Sequence, residues 1–569
     1  MVGKLSALTA LFALAGTSSA GTFFQNADGS FKSAIERKLE KTTIAPNSLQ
    51  KPSPGDTDPS LLYPEYNLSV PIDHFHNDSL YEPHSNGTFP LRYWFDATYY
   101  KAGGPVIVLQ SGETDASGRL TFLQKGLLHK LAVSTHGIGV VLEHRFYGTS
   151  FPTPDLSTES LRFLTTDQAL ADQAYFAQNV VYEGLEHLNL TAPHVAYLAY
   201  GGSYSGAFVA FLRKLYPDVF WGAISSSGVT EAIWDYWTYF EPIRVYAQPD
   251  CVSITQKVTN VMDNIFLSNN SANIAELKSA FGMPNVTYND DFAATVGAGI
   301  DSWQGKNWDP ALNDPTFDEY CANITSSTLV YPSTASLNGT AKDLITKGGW
   351  GNQSSTLTTP LLNWIGWLTT NYVSGCTSTD QDSCFGTHDP ASYQDDSLAA
   401  TWRAWPYQYC TQWGFLQTGS GVPATQLPLV SRTNNLAYES IICNDAFDIY
   451  TPPDVDAINK YGGFNISYPR LAIVDGEWDP WRPSTPHASP FNSSAVNRTS
   501  TVEEPFILIE DAVHHWDENG LFRNQTTADL PPKPVRDVQK EEIDFVGAWM
   551  DEWTHQNRWR RGLELRDSA

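Results

Sequence analysis

Basic residues are scarce in this chain. Its 569 residues hold 35 Lys and Arg against 62 Asp and Glu, a formal charge of −27. A nucleic-acid binder, or a protein seated on anionic lipid, needs a basic surface, so neither partner is expected. Charge of either sign is thin, at 17% of residues, while aromatics reach 13% with 18 Trp. A disordered acidic chain has the reverse balance, so this is an aromatic-rich globular protein. Cysteines number only six, with no CxxC pair and no Cys/His cluster, so no metal and no other cofactor is expected. Beyond the N-terminus no stretch reaches the ~18 apolar residues that span a bilayer, so no membrane partner is expected either. At ~150 residues per domain the length allows three or four domains. An acidic surface loses charge as pH falls, so the composition suits an acid environment.

What is present starts with Lys4, an apolar run from Leu5 to Gly16, and the small residues Ser18-Ser19-Ala20. This is the pattern of a secretory signal over residues 1–20. Residues 21–60 are polar, with Pro46, Pro52, Pro54 and Pro59, and read as a leader or propeptide. Thirteen Asn-x-Ser/Thr triplets follow, at Asn67, Asn77, Asn86, Asn189, Asn269, Asn285, Asn323, Asn338, Asn352, Asn465, Asn492, Asn497 and Asn524. Glycans require solvated surface, so these positions mark loops on a secreted chain. In an oxidising compartment Cys251, Cys321, Cys376, Cys384, Cys410 and Cys443 form three bridges, and sequence leaves open which of 15 pairings is used.

Apolar runs alternate with helical spacing from about residue 61 to 229. Val106–Leu109, Gly139–Leu142, Val195–Tyr200 and Trp221–Ser225 read as strands; Leu120–Ala132, Thr166–Val181 and Ala207–Tyr216 read as helices. That alternation implies a parallel sheet covered on both faces. From 230 to 450 strands fade, helices such as Val252–Phe266 dominate, and all six cysteines appear. Strands return over 451–556 with Leu471–Val474 and Pro505–Ile509, closed by a helix from Glu541 to Thr554. Residues 557–569, with Arg558, Arg560 and Arg561, read as a solvated tail. The fold class is α/β, one sheet split by a large, mainly helical, disulfide-stapled insertion.

Gly201-Gly202-Ser203-Tyr204-Ser205-Gly206 lies between a strand and a helix, the setting of a nucleophile elbow. Small residues suit a turn in which backbone meets backbone, and the helix N-terminus puts the Tyr204 amide where it can stabilise an oxyanion. A serine nucleophile needs a base, and the base a carboxylate. Asp479 follows one late strand and His514 the next, in the chain order Ser…Asp…His. Asp475 competes as the carboxylate and His515 as the base.

These residues, with Glu143-His144-Arg145-Phe146-Tyr147-Gly148, Trp405-Pro406-Tyr407-Gln408-Tyr409-Cys410-Thr411, Asp479-Pro480-Trp481 and His514-His515, resemble serine peptidase family S28. That family contains lysosomal Pro-X carboxypeptidase, dipeptidyl peptidase II and fungal acid prolyl endopeptidases. The resemblance runs from about 70 to 550. It implies an α/β-hydrolase core under a helical cap, Ser203 as nucleophile, Asp479 as orienting acid, and His514 rather than His515 as base. It also implies bridges Cys251–Cys321, Cys410–Cys443 and Cys376–Cys384. Two elements depart from the family. Its Asn-Glu-Gly becomes Ser111-Gly112-Glu113-Thr114, where Gly112 is the candidate second oxyanion donor. Its Cys-Thr-Glu becomes Cys410-Thr411-Gln412, removing a carboxylate that bears on recognition of a substrate terminus.

Family members cleave after proline, which is compact, apolar and lacks an N–H, and so suits an aromatic slot without a backbone partner. Trp481 is the candidate wall of that slot, and Glu113 and Glu477 candidate contacts for a charged group. His144-Arg145 beside Glu143 is assigned loop-tying rather than catalysis. The implied activity is a secreted or vacuolar serine peptidase acting on proline-containing peptides. A lipase or carboxylesterase on the same fold, and a non-catalytic secreted glycoprotein, are the alternatives. Sequence leaves exo- against endopeptidase action open, and with it the oligomeric state, for which a homodimer is one option.

Overall fold

A computed structural model describes residues 58–567 together with Ala34 and Arg37, with side chains as far as Gln556. The expected signal over 1–20, nearly all of the leader over 21–60, and the side chains of the tail lie outside the described residues. Ala34 is buried, and Arg37 donates from Nε to the Tyr372 hydroxyl at 2.8 Å.

Eight strands form one sheet: β1 (Tyr66–Pro71), β2 (Thr88–Asp96), β3 (Val106–Gln110), β4 (Ile138–Leu142), β5 (Tyr197–Gly202), β6 (Phe220–Ser226), β9 (Leu471–Gly476) and β10 (Phe506–Ile509). Their order is β1-β2-β4-β3-β5-β6-β9-β10. β2 runs antiparallel to β1 and β4, and the remaining neighbours are parallel. This is the α/β-hydrolase sheet. Side chains alternate across it as the pleat requires. Val106 and Val108 enter one apolar layer, and Ile107 and Leu109 the other. Tyr197 and Ala199 part from Leu198 and Tyr200 in the same way. Both faces are dry, which is why these strands read as unbroken apolar runs.

The order reverses around β3, whose neighbours β4 and β5 lie on opposite sides. In open α/β sheets such a reversal leaves a crevice at the strands' carboxyl ends. Gly112 follows β3 there, and Ser203 follows β5.

Between β6 and β9 the chain leaves the sheet. It passes through β7 (Ile233–Asp235), the helices Pro249–Leu267, Asn289–Asp301, Thr316–Ile324 and Ser354–Asn371, and β8 (Gly414–Leu416), which pairs with β7. Three disulfides staple this region: Cys251–Cys321, Cys376–Cys384 and Cys410–Cys443. No described helix is long and apolar enough to cross a membrane.

Three elements differ from the sequence reading. The helix expected over Leu120–Ala132 is a 3₁₀ segment, Ala116–Leu123, then an α-helix, Gly126–Thr135. The break falls at Gly126, φ +81°, where a Cβ would lie 2.4 Å from the Glu518 carbonyl oxygen. The final helix starts at Lys533 and continues through the tail to Asp567. Pro534 sits in its first turn, where proline costs no hydrogen bond. The antiparallel pair β1–β2 has no counterpart among the strands read from sequence, because Asn67, Ser69, Thr88 and Arg92 interrupt its apolar run.

Candidate active site

Ser203 sits at the turn from β5 into the helix Tyr204–Leu215 with φ +62°, a strained setting for a residue with a side chain. The turn is tight. A Cβ on Gly201 would lie 2.5 Å from the Ser205 carbonyl oxygen, and one on Gly206 2.6 Å from that of Ser226. Ser205 fits because its hydroxyl donates to the Gly202 carbonyl at 2.7 Å.

His514 follows β10. Its Nε2 is 2.8 Å from Ser203 Oγ, and its Nδ1 is 2.8 Å from Asp479 Oδ2. An ionised carboxylate only accepts, so Nδ1 carries the proton and Nε2 is free to accept from the serine. The other Asp479 oxygen accepts the Trp481 amide at 2.9 Å. Ser203 is 1% exposed, His514 5% and Asp479 0%. The competing residues are engaged elsewhere. Asp475 Oδ2 is 2.7 Å from His487 Nδ1. His515 lies behind His514, with Nδ1 3.0 Å from Glu518 Oε2.

Tyr204 is buried, and as the first residue of its helix it carries one of the orphan N–H donors of the helix N-terminus. Its hydroxyl accepts from Gln408 Nε2 at 2.9 Å and donates to His144 Nε2 at 2.9 Å. The direction follows from His144 Nδ1, which is 2.8 Å from the Arg145 carbonyl and must carry the proton. Burial pushes the His144 pKa down to about 4, keeping it neutral. Arg145 holds Asp172 through two 2.6 Å bonds and reaches the Phe163 carbonyl, while Glu143 holds Arg92. The Glu143-His144-Arg145 run thus ties loops and positions Tyr204.

The Gly112 amide is occupied: it donates to Gln110 Oε1 at 2.6 Å. Gly112 has φ +71° and packs against Ser205, so the loop is at the site although its donor is held by Gln110. Sequence reasoning missed Gln110, which reads only as the residue after the apolar run Val106–Leu109.

Glu113 lies inside the fold, with its Oε1 lacking a hydrogen-bond partner. It is buried, and burial raises its pKa to about 7 against the pull of Arg119 and His515. Asp517, which like Glu113 interacts with His515 and Glu518, is raised by burial to about 6. Burial also opposes ionisation of Glu518, but Arg119 and His515 outweigh it and hold that carboxyl below its ordinary value. Glu477 accepts the Asp511 amide at 3.3 Å. Gln412 accepts the Thr166 amide at 3.2 Å, at the first residue of the helix Thr166–Asn179, which Thr165 caps.

Trp481 stands next to the base, with ring centroids 6.4 Å from His514. It stacks on Tyr236 at 5.3 Å and meets Phe415 edge-on at 5.2 Å. Its Nε1 donates to Gln304 Oε1 at 2.7 Å. Gln304 lies in a cap segment that grips both loops bearing the acid and the base. Trp303 Nε1 donates to the Trp478 carbonyl at 2.9 Å, Trp308 Nε1 to the Trp516 carbonyl at 2.9 Å, and Trp516 Nε1 to the Lys306 carbonyl at 3.1 Å. No regularity in the sequence announces this segment.

An α/β-hydrolase sheet that presents a serine to a carboxylate-oriented histidine has the architecture of a serine hydrolase. Residues 71–528 match the family Serine carboxypeptidase S28, and the chain belongs to that family, which makes it a serine-type peptidase. It is 52% identical, over 87% of its length and 69% of the other's, to a protein of Arthroderma benhamiae named "Probable extracellular serine carboxypeptidase". It is 28% identical, over 89% of its length and 92% of the other's, to "Serine protease vicPb" of Bipolaris victoriae.

Proposed function

We propose that the chain is a secreted peptidase that releases residues from the carboxyl end of peptides by cutting after proline. Ser203 attacks the carbonyl and passes its proton to His514, Asp479 holds the imidazole and supports its charge, and the Tyr204 amide receives the oxyanion. His514 then protonates the leaving amine, and water hydrolyses the acyl-enzyme by the same route reversed. Residues 1–20 direct secretion and residues 21–60 are a leader or propeptide. Every Asn of the triplets is at least partly exposed, as attached glycans require.

The observation that carries the specificity is the aromatic box of Trp481, Tyr236 and Phe415 against His514. Its rings are apolar, as a proline ring favours, and Trp481 brings them beside His514. The burial of Ser203 under the cap supports action at chain ends, as does the name of the Arthroderma relative. The test uses one proline-containing peptide with free ends, with each end blocked, and with both blocked, products being read by mass spectrometry. Cleavage after proline only where the carboxyl end is free is the expected result. Cleavage of the doubly blocked peptide assigns an endopeptidase instead, and hydrolysis of p-nitrophenyl esters alone assigns an esterase.

A further inference from the structure

The cap holds a group of side chains that the peptidase chemistry does not use. At the start of the helix Asn289–Asp301, Asp290 and Asp291 face His388 from the loop after the Cys376–Cys384 bridge. His388 Nε2 is 3.0 Å from Asp290 Oδ1 and 3.9 Å from Asp291 Oδ2. The three ligand-type atoms lie within 4.8 Å of one another.

Acidic residues at a helix N-terminus have an ordinary explanation in the helix dipole. That explanation does not cover Asp291. Its carboxylate is fully buried, and its two oxygens differ. Oδ1 accepts from the Thr387 amide at 3.1 Å, the Thr387 hydroxyl at 2.7 Å and the Tyr438 hydroxyl at 3.1 Å. Oδ2 has no hydrogen-bond partner and points toward His388. A buried carboxylate oxygen without a donor is costly unless something positive reaches it. Asp290 and His388 each keep about a quarter of their side chain exposed, so the open side admits an ion and its waters. The His388 ring is held in plane by stacking on Tyr288, with centroids 3.7 Å apart.

We propose that Asp290, Asp291 and His388 bind one divalent cation of the zinc type. One imidazole nitrogen with two carboxylate oxygens suits zinc or a neighbouring transition ion better than magnesium or calcium, which prefer all-oxygen sets. Four-coordinate zinc bonds of ~2.0–2.2 Å put adjacent ligand atoms ~3.3–3.6 Å apart, between the two separations found here. Thr387 and Tyr438 orient the carboxylate from behind, as outer partners of metal ligands do. The ion clamps the outer end of a helix whose inner end runs into Trp303, Gln304 and Trp308 over the catalytic loops. Some ~20 Å of helix separates the two ends, so the role is to brace the cap rather than to take part in the reaction.

The site escaped sequence reading because its ligands are almost a hundred residues apart and include no cysteine. The test uses the full-length protein, treated with a chelator, desalted, and equilibrated with micromolar zinc chloride. Zinc retained after dialysis is measured by mass spectrometry, and the melting temperature is followed with and without zinc. Wild type retains an equivalent of zinc and melts higher with it. His388→Ala and Asp290→Asn weaken retention about 10–100-fold and lose the shift in melting temperature. His84→Ala alters a separate group, Asp73 with His76 and His84, and serves as the control that leaves this binding intact. Absence of zinc from wild type, or loss of zinc in His84→Ala with retention in His388→Ala, overturns the proposal. Neither readout depends on peptidase activity.

Discussion

At the scale of single residues the account rests on which atoms are free. Asp475 lies at the end of β9 and Asp479 just after it, but only Asp479 meets His514, while Asp475 is held by His487. Asp479→Asn is therefore expected to lower kcat by about 10⁴-fold by presenting the wrong histidine tautomer. Asp475→Asn is expected to leave turnover within about tenfold, both measured in steady-state assays. Tyr204 separates two functions of one residue. Its amide is the proposed oxyanion donor, and its hydroxyl joins His144 and Gln408 in a buried network. Tyr204→Phe keeps the amide and strands two buried partners, so it is expected to cost about 1–3 kcal/mol of stability with little change in kcat. Thermal unfolding beside kinetics separates the two effects. Ser203, Asp479 and His514 were legible because a nucleophile at a strand-to-helix turn and partners at later strand ends leave marks in local sequence. The Gln110–Gly112 bond and the burial of Glu113 were not, because they depend on what folds over the loop.

At the scale of elements the strands were legible and their environment was not. β3, β5, β6 and β9 are apolar on both faces, so each stands out as a run, whereas the break at Gly126 is set by the approach of the Glu518 carbonyl from a distant loop. The cap depends on its bridges and on the segment that grips the core. Cys251–Cys321 closes a separation of 70 residues and Cys376–Cys384 one of 8. Loop-closure entropy then predicts that replacing the first pair with serine costs about 4 kcal/mol and the second about 2.5 kcal/mol. Denaturant titration of the two double variants checks the order. Gln304 accepts from both Trp481 and Tyr239, the latter at 3.1 Å. Gln304→Leu leaves those donors unpaired beside the base, and kcat/KM for the peptide is expected to fall about tenfold while covalent labelling of Ser203 persists.

At the scale of the whole molecule the excess of acid groups acquires a partner inside the fold. Glu113 and Asp517 are buried with pKa values raised to about 7 and about 6, from ordinary values of 4.5 and 3.8. Between those limits the folded chain holds protons that the unfolded chain has released, so stability falls as pH rises. Their contribution is complete below about 4 and is lost as pH climbs through about 6 and then about 7. Glu518 acts in the opposite sense, its lowered pKa giving stability above the ordinary carboxylate range that is lost in stronger acid. Self-repulsion of the −27 surface adds to the loss at high pH. The melting temperature is expected to be higher near pH 5 than at pH 8, and a higher value at pH 8 would contradict this reading of the buried cluster.

The central claim, that Ser203 is the nucleophile of a serine peptidase, is tested most directly by fluorophosphonate labelling followed by peptide mapping. The account predicts one adduct, on Ser203, rising in step with the loss of peptide hydrolysis. Complete inhibition with Ser203 unmodified, or an adduct on another serine, would contradict it.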